Sequence, residues 1–529
     1  MGAGIPRERG RPIPVPGAAP CMCGGAPQEE TSMKISLIKP HTGGVLGLEM
    51  ITFVEPLGLE YVAGALEPEG HRCQIVDLRI DGVDAGVARC RAFEPQVVGL
   101  QCNFTTERFR TVEVARRIKR ELGDVFVVVG GHDASRDPAW FLDRAIDAVA
   151  LGDGEEVMPP LLDALEGGRA LDRIPGLMLN RGGEPHFTGH APARRDLDRL
   201  PMPARHLIRR YAPHYYFNYH KPLALLETAR GCPFKCNFCS VWKFHESTFR
   251  EKSPERVVEE LLAIDADHVF ITDDIFWMNV KRARELARQI KAAGIKKSFK
   301  IQTRTDIICR HPEIVEMWKE CGELSIFLGL EKIDDEGLKS VNKSNKAANN
   351  DRAIEILRDL GVGYTPNFIV DPDWDRRHFA ELRRWISRTG SYNSGFSILT
   401  PLPGTDLWDE VKGRVTTGDW ELYDIAHAVL PTRLSQEEFY AEYAGLWRHA
   451  LKVRYRERGF LRTYLQLGFA LATRQVTLEA LKKGMNLSQR FSRPETFLRG
   501  HRRSAVRLAE VADLGAGPLA AQPAERTAA

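Results

Sequence analysis

No apolar run in this 529-residue chain reaches the roughly 18–20 residues that a membrane-crossing helix requires. The longest candidate, residues 464–472, is interrupted by Gln466 and Gly468, so the chain is expected to be soluble or to lie on a membrane surface. An excess of either charge is also lacking: 74 lysines and arginines stand against 71 acidic residues, a net +3. That balance argues against a phosphate-gripping surface, and no nucleic-acid partner is expected. Ten cysteines without regular spacing do not make a secreted disulfide scaffold. They read as cytosolic thiols or metal ligands, so a cytoplasmic location is expected. Residues 1–25 hold five prolines but no apolar segment of the kind a signal peptide needs. Residues 1–32 read as a disordered tail, with Met33 a candidate start and Cys21 and Cys23 either a metal-site pair or, more simply, an incidental one.

The length exceeds what one hydrophobic core serves, which favours two domains and an appendage. Over residues 33–165, short apolar runs at 35–38, 74–76, 97–100, 125–129 and 148–151 alternate with amphipathic segments. This pattern predicts an α/β, doubly wound (Rossmann-like) domain on a parallel sheet. Ligands of such sheets sit beyond the strand C-termini, which here carry Asn103 and Phe104, Gly130, Gly131 and His132, and Gly152, Gly154 and Glu155. No G-x-G-x-x-G follows the first strand, so a dinucleotide fingerprint is absent. Residues 166–222, rich in proline, glycine and arginine, read as a linker with one hairpin over 176–187. Six further runs, at 223–227, 268–272, 299–302, 324–328, 364–370 and 395–399, alternate with helical stretches. They predict a partial (β/α)6 barrel over 223–411 with its chemistry at the C-terminal rim. Residues 412–509 read as a helical C-terminal region, opened by a capping box of Ser435 and Glu438, and residues 510–529 as a disordered tail.

The strongest motif is Cys232, Cys236 and Cys239, directly after the first barrel strand. Three thiolates on one loop can hold three irons of a cubane and leave the fourth without a protein ligand. A structural zinc site would want a fourth ligand at comparable spacing; His245 is the nearest candidate, but such sites normally pair two short ligand clusters. Polar residues end the later strands: Asp273 and Asp274, Gln302 and Arg304, and Glu331. They could serve the ammonium, carboxylate and ribose of a zwitterionic ligand, although Asp306 or Glu331 alone could be a solvated loop residue.

The cysteine loop, with Phe238 before its last cysteine, resembles the radical S-adenosylmethionine superfamily over residues 221–411. The resemblance implies a four-iron, four-sulfur cluster on Cys232, Cys236 and Cys239, with S-adenosylmethionine chelating the free iron and cleaved to a 5′-deoxyadenosyl radical. Asp273 and Asp274 look like the family's acidic pair near the cosubstrate amine. Where relatives often carry a glycine-proline-glycine turn, this chain reads Val370, Asp371, Pro372, Asp373, Trp374, Asp375. The first domain looks like the cobalamin-binding domain of the methylating branch, whose glycine turns lie against the corrin ring. The D-x-H-x-x-G motif that supplies a lower histidine to cobalt in many cobalamin proteins is absent, and His132 reads as a ligand or as an ordinary loop histidine.

The segments 239–246, 273–279, 368–374 and 443–449 are similar to those of hopanoid C-3 methylases. That likeness implies methylation of an unactivated carbon of a hopanoid lipid, by hydrogen abstraction and methyl transfer from methylcobalamin. It also implies a reducing partner such as a flavodoxin or ferredoxin. Phe439, Tyr443, Trp447, Leu461, Tyr464, Leu465, Phe469 and Leu471 could wall an apolar cavity or simply pack helices onto the barrel. Arg454, Arg456 and Arg458 could meet anionic headgroups of an inner membrane or form a solvated basic face. A cobalamin-dependent cyclase or methylase of a tetrapyrrole would share both domains. A methylthiotransferase is disfavoured, because Cys73, Cys90 and Cys102 are too widely spaced for a second cluster, and a cobalamin sensor would not need the Cys232 loop.

Overall fold

A computed structural model describes residues 32–41, 52–218, 220–459, 465 and 478–513. The N-terminal tail, Cys21, Cys23, Leu461, Tyr464, Phe469 and Leu471 lie outside the described residues.

The first sheet has seven strands: β1 (Lys34–Lys39), β2 (Arg72–Asp77), β3 (Val97–Gln101), β4 (Phe126–Gly130), β5 (Ala148–Ala150), β6 (Leu177–Arg181) and β7 (Glu184–Phe187). Their spatial order is β2-β1-β3-β4-β5-β6-β7. The first five are parallel and, apart from the first half of β2, largely buried, as expected of short apolar runs covered on both faces. The helices involved include α1 (Leu57–Leu66), α2 (Val83–Phe93), α3 (Arg108–Leu122) and α4 (Gly154–Glu166). Order reverses between β1 and β3, which opens a ligand crevice at their C-terminal ends. The hairpin read from sequence as part of a linker is instead the antiparallel edge of this sheet, β6 pairing with β5. Residues 177–187 therefore belong structurally to the first domain, because Leu177 and Leu179 are buried in its core.

The second sheet has six strands in strict chain order, all parallel: β8 (Leu223–Leu226), β9 (His268–Ile271), β10 (Ser298–Thr303), β11 (Leu324–Glu331), β12 (Gly363–Val370) and β13 (Gly395–Ile398). The ends, β8 and β13, are not paired with each other, as in an open partial barrel. The crossover helices start where side chains can cap them. Ser253 accepts the Arg256 N–H at 3.2 Å ahead of α5 (Pro254–Leu262), and Asn279 accepts the Arg282 N–H at 3.1 Å ahead of α6 (Val280–Ala292). The others include α7 (Pro312–Lys319), α8 (Ala347–Asp359) and α9 (Arg376–Thr389).

Beyond the barrel, Trp420, Leu422 and Tyr423 return to the core of the first domain. There the Arg108 guanidinium lies 4.6 Å from the Trp420 ring and is paired with Asp133 at 2.6 Å. Helix α10 (Gln436–Arg458) begins at the capping box of Ser435 and Glu438 and packs on α9. It is followed by α11 (Leu478–Phe491) and α12 (Pro494–Asp513). The disordered tail expected from residue 510 is thus helical as far as Asp513. Phe439 and Tyr443 are fully buried in the barrel core, with the Tyr443 hydroxyl donating to Phe396 O at 2.7 Å, so they pack helices and do not face a cavity. Trp447 packs edge-on against Phe396, whereas Leu465 is exposed. Arg456 donates to Ser387 O at 2.7 Å and Arg458 to the Tyr392 hydroxyl at 2.6 Å, which ties both to the barrel. Among the described residues no helix is long and apolar enough to cross a membrane.

Candidate active site

The cysteine loop leaves β8 through a two-residue pairing of Ala229–Arg230 with Arg250–Glu251. Gly231 has φ +92°, and a Cβ there would sit 2.2 Å from Thr248 O, so only glycine lets the loop close. The loop is pinned by main-chain acceptors: Cys236 O takes both the Cys239 N–H (3.2 Å) and the Trp242 indole N–H (3.1 Å). Asn342 donates to Lys235 O at 2.6 Å, and Leu407 N–H donates to Asn237 O at 2.9 Å.

All three cysteines are free and half-buried. Burial pushes Cys232 up to about 11 and Cys239 up to about 12, and raises Cys236. Such thiols stay protonated unless a cation takes the proton's place, which is what an iron cluster does. A mononuclear zinc site draws its sulfurs to within about 4 Å of one another. It also normally takes four ligands, whereas three thiols on one loop suit a cubane with one open iron. His245, the alternative fourth ligand, lies 3.1 Å from Arg250 instead, and burial lowers its pKa to about 4.

The strand ends converge on this loop. Asp274 adds negative charge beside Cys232 and Cys239, and burial, then Asp273 and Glu227, push its own carboxyl up to about 7. Asp273 is committed elsewhere: its carboxylate accepts the Thr228 N–H (2.6 Å) and hydroxyl (2.5 Å), and burial raises it to about 6. The expected acidic pair therefore divides into one buried brace and one group facing the cysteines. Arg304 stacks 3.7 Å over Phe234 and donates to Asp306 at 2.8 Å, its charge lowering the pKa values of Cys232 and Cys236. Gln302 is half-buried, and its carbonyl accepts the Phe276 N–H at 3.0 Å. Glu331, held at φ +63° at the end of β11, accepts from Lys343 at 2.7 Å, and both act on Cys236. The segment that replaces the glycine-proline-glycine turn is closed by Asp371, which accepts from Lys332 (2.6 Å) and from the Trp374 indole (3.1 Å).

The crevice of the first sheet faces this loop. His132 Nε2 lies 2.7 Å from Ser240 Oγ, and its ring is 4.6 Å from that of Phe244. Asn103 accepts the His132 N–H at 3.2 Å, while Phe104 is 58 % exposed. Gly130 has only an ordinary contact with Ala150, and Gly152, at φ +84°, has open space where a Cβ would stand. Gly131 and Gly154 have reasons inside the protein. At φ +114° a Gly131 Cβ would meet Asn103 Oδ1 at 2.5 Å and Cys102 O at 2.7 Å, and a Gly154 Cβ would meet Val62 at 2.9 Å. Glu155 is ion-paired to Arg230, which also meets Asp153 at 3.1 Å and Glu227 at 2.7 Å, so it joins the two domains. Sequence reasoning missed Arg230, Arg250, Ser240 and Lys343. The first flanks the cysteine motif and could have been suspected from that position; Lys343 carries no local signal.

The B12 binding domain family matches residues 44–162, and the Radical SAM superfamily matches residues 226–386. A hopanoid C-3 methylase of Methylococcus capsulatus is 35% identical over 407 residues, covering 76% of this chain and 77% of the relative. An anaerobic magnesium-protoporphyrin IX monomethyl ester cyclase of Rubrivivax gelatinosus is 28% identical over 415 residues, covering 75% of this chain and 73% of the cyclase. The fold matches that of the cobalamin-dependent S-adenosylmethionine radical enzyme OxsB with aqua-cobalamin and S-adenosylmethionine bound. The TM-score is 0.65 at 16% identity, over 89% of this chain and 80% of OxsB. The radical S-adenosylmethionine methyltransferase TsrM from Kitasatospora setae aligns with a TM-score of 0.59 at 18% identity, over 72% and 75% of the two chains. The chain belongs to the cobalamin-dependent radical S-adenosylmethionine methyltransferases, and within them it resembles the hopanoid C-3 methylases.

Proposed function

We propose that this methyltransferase adds a methyl group to C-3 of the A ring of a hopanoid. The observation that carries the reading is the 35% identity to the hopanoid C-3 methylase, over a span longer than either domain alone. When bound, the cluster with S-adenosylmethionine supplies a radical able to take hydrogen from an unactivated carbon, and methylcobalamin supplies the methyl group.

The chain's own part is to bind and orient. Cys232, Cys236 and Cys239 hold the cluster, with the positive charges of Arg304 and Lys343 offsetting thiolate charge at Cys236. Asp274 and Glu331 offer carboxylates for the cosubstrate ammonium, and Gln302 and Arg304 offer donors for its carboxylate and ribose. Asp273 contributes by fixing Thr228 beneath the loop. Asn103, Phe104, Gly130, His132 and Gly152 rim the cobalamin crevice, where exposed Phe104 offers an apolar surface to a flat ring. Gly131, Gly154 and Glu155 shape that rim from behind. A one-electron reductant such as a flavodoxin or ferredoxin completes the cycle. Exposed Met485 and Val506 on the C-terminal helices, with exposed Leu465, support a peripheral contact with the membrane that holds the lipid.

The cyclase likeness supports a second reading, in which the substrate is a tetrapyrrole. Expression in a hopanoid-producing host separates the two. A hopanoid gaining one A-ring methyl, absent with Cys236→Ala, is expected; unchanged hopanoids beside a modified tetrapyrrole would move the assignment to the second reading.

A further inference from the structure

Glu69, His71 and Asp163 each place one ligand atom within 4.8 Å of the others. Glu69 ends the short turn after α1, His71 immediately precedes β2, and Asp163 stands in the last turn of α4. The three are brought together because α1 and α4 pack side by side, and Gly70 at φ +91° turns the chain back toward the sheet. Their end of the sheet is the N-terminal one, opposite the crevice that carries Asn103 and Gly131.

The imidazole is the telling member. His71 is only 6 % exposed, and neither ring nitrogen has a hydrogen-bond partner. An orphaned buried polar atom costs about 1–3 kcal/mol, and this ring faces two carboxylates. Among the described residues no lysine or arginine forms an ion pair with Glu69 or Asp163. The C-terminal turn of α4 adds partial negative charge where Asp163 stands. The pocket thus gathers negative charge around an unpartnered nitrogen donor, which a cation would resolve and a further anion would not.

We propose that Glu69, His71 and Asp163 form a divalent-cation site of the zinc class, tying the end of α4 to the turn that enters β2. One imidazole nitrogen and two carboxylate oxygens are a zinc donor set, and water can complete it because both carboxylates are exposed. Calcium and magnesium favour all-oxygen ligands and would bind more weakly. The site serves the packing of the first domain and is separate from the cysteine loop.

The test uses the full chain with its cluster reconstituted, equilibrated with zinc at buffered free concentrations, and metals counted by mass spectrometry. One zinc per chain in addition to the full complement of iron is expected. Glu69→Gln and Asp163→Asn should each weaken zinc binding by roughly tenfold or more while iron and corrinoid contents stay at wild-type levels. Zinc should raise the thermal midpoint of the wild type and not that of the double variant. No zinc beyond the iron complement in the wild type, or equal zinc in the wild type and the Glu69→Gln/Asp163→Asn chain, would overturn the proposal. Both substitutions are at exposed positions, so loss of binding is separable from loss of fold.

Discussion

His132 Nε2 sits 2.7 Å from Ser240 Oγ, so the residue two beyond the end of β4 is hydrogen-bonded to the residue that follows Cys239. Burial, then the Arg136 charge, holds this histidine down to about 3, so the ring is neutral at any physiological pH. The contact joins the proposed cobalamin rim to the cysteine loop without a pH-sensitive charge.

Ser240→Ala should therefore uncouple the two halves while leaving both loaded. A neutral hydrogen bond is worth about 1 kcal/mol, too little to unfold either domain. Iron and corrinoid contents should match the wild type, while the ratio of methylated product to 5′-deoxyadenosine falls. An unchanged ratio would mean that the contact does not set the relation of the two cofactors.

The glycines of the crevice separate into testable groups. Gly131→Leu would collide with Cys102 O and fail for reasons unrelated to any ligand. Gly152 faces open space at φ +84°, which asparagine tolerates better than other side chains. Gly152→Asn should keep fold and iron content but lower the corrinoid content of the purified protein. Wild-type corrinoid occupancy would place the ring elsewhere.

Arg230 gathers Asp153, Glu155 and Glu227 at the domain boundary, with its own side chain almost wholly buried. Arg230→Met strands these carboxylates, and breaking a buried pair in this way costs roughly 3–5 kcal/mol. Denaturant unfolding should show an earlier midpoint, and proteolysis should show faster cutting between the domains. Glu155→Gln should cost less, because Arg230 keeps two other carboxylates.

Lys300 lies 3.5 Å over the Phe217 ring, and burial lowers its pKa to about 7. Between that value and the roughly 10.4 of an unfolded lysine, the unfolded chain binds the extra proton. Stability should accordingly rise with pH, by about 1.4 kcal/mol per unit from this group, and be lost as pH falls toward 7. Lys300→Met should flatten this slope between pH 7 and 9 and raise stability at pH 7. Urea unfolding at the two pH values measures it.

Much of the fold was legible because the parallel strands of the first sheet read as short apolar runs, while several barrel strands alternate buried with half-buried residues. All five runs of the first domain and all six of the second became strands. The hairpin of residues 177–187 was legible as a hairpin, but pairing with β5 depends on a sheet edge that no local pattern reveals. Phe439 and Tyr443 were legible as one apolar helix face; whether that face meets a cavity or the barrel depends on what packs against it, and the barrel does.

The sequence by itself determined the cysteine loop, since Cys232, Cys236, Cys239 and the glycine that lets the loop close lie within nine residues after one strand. It also determined the two α/β units, through period and spacing. Tertiary structure alone decided which polar residues reach that loop. It turned Asp273 inward to Thr228 and left Asp274 beside the thiols, two neighbours whose side chains leave the chain in different directions. It brought Lys343 to Cys236, Ser240 to His132 and Glu155 to Arg230 across gaps of 75 to 108 residues for the last two pairs. Such pairings depend on how two sheets face each other, a relation set by the burial of both cores and not by any local run of residues.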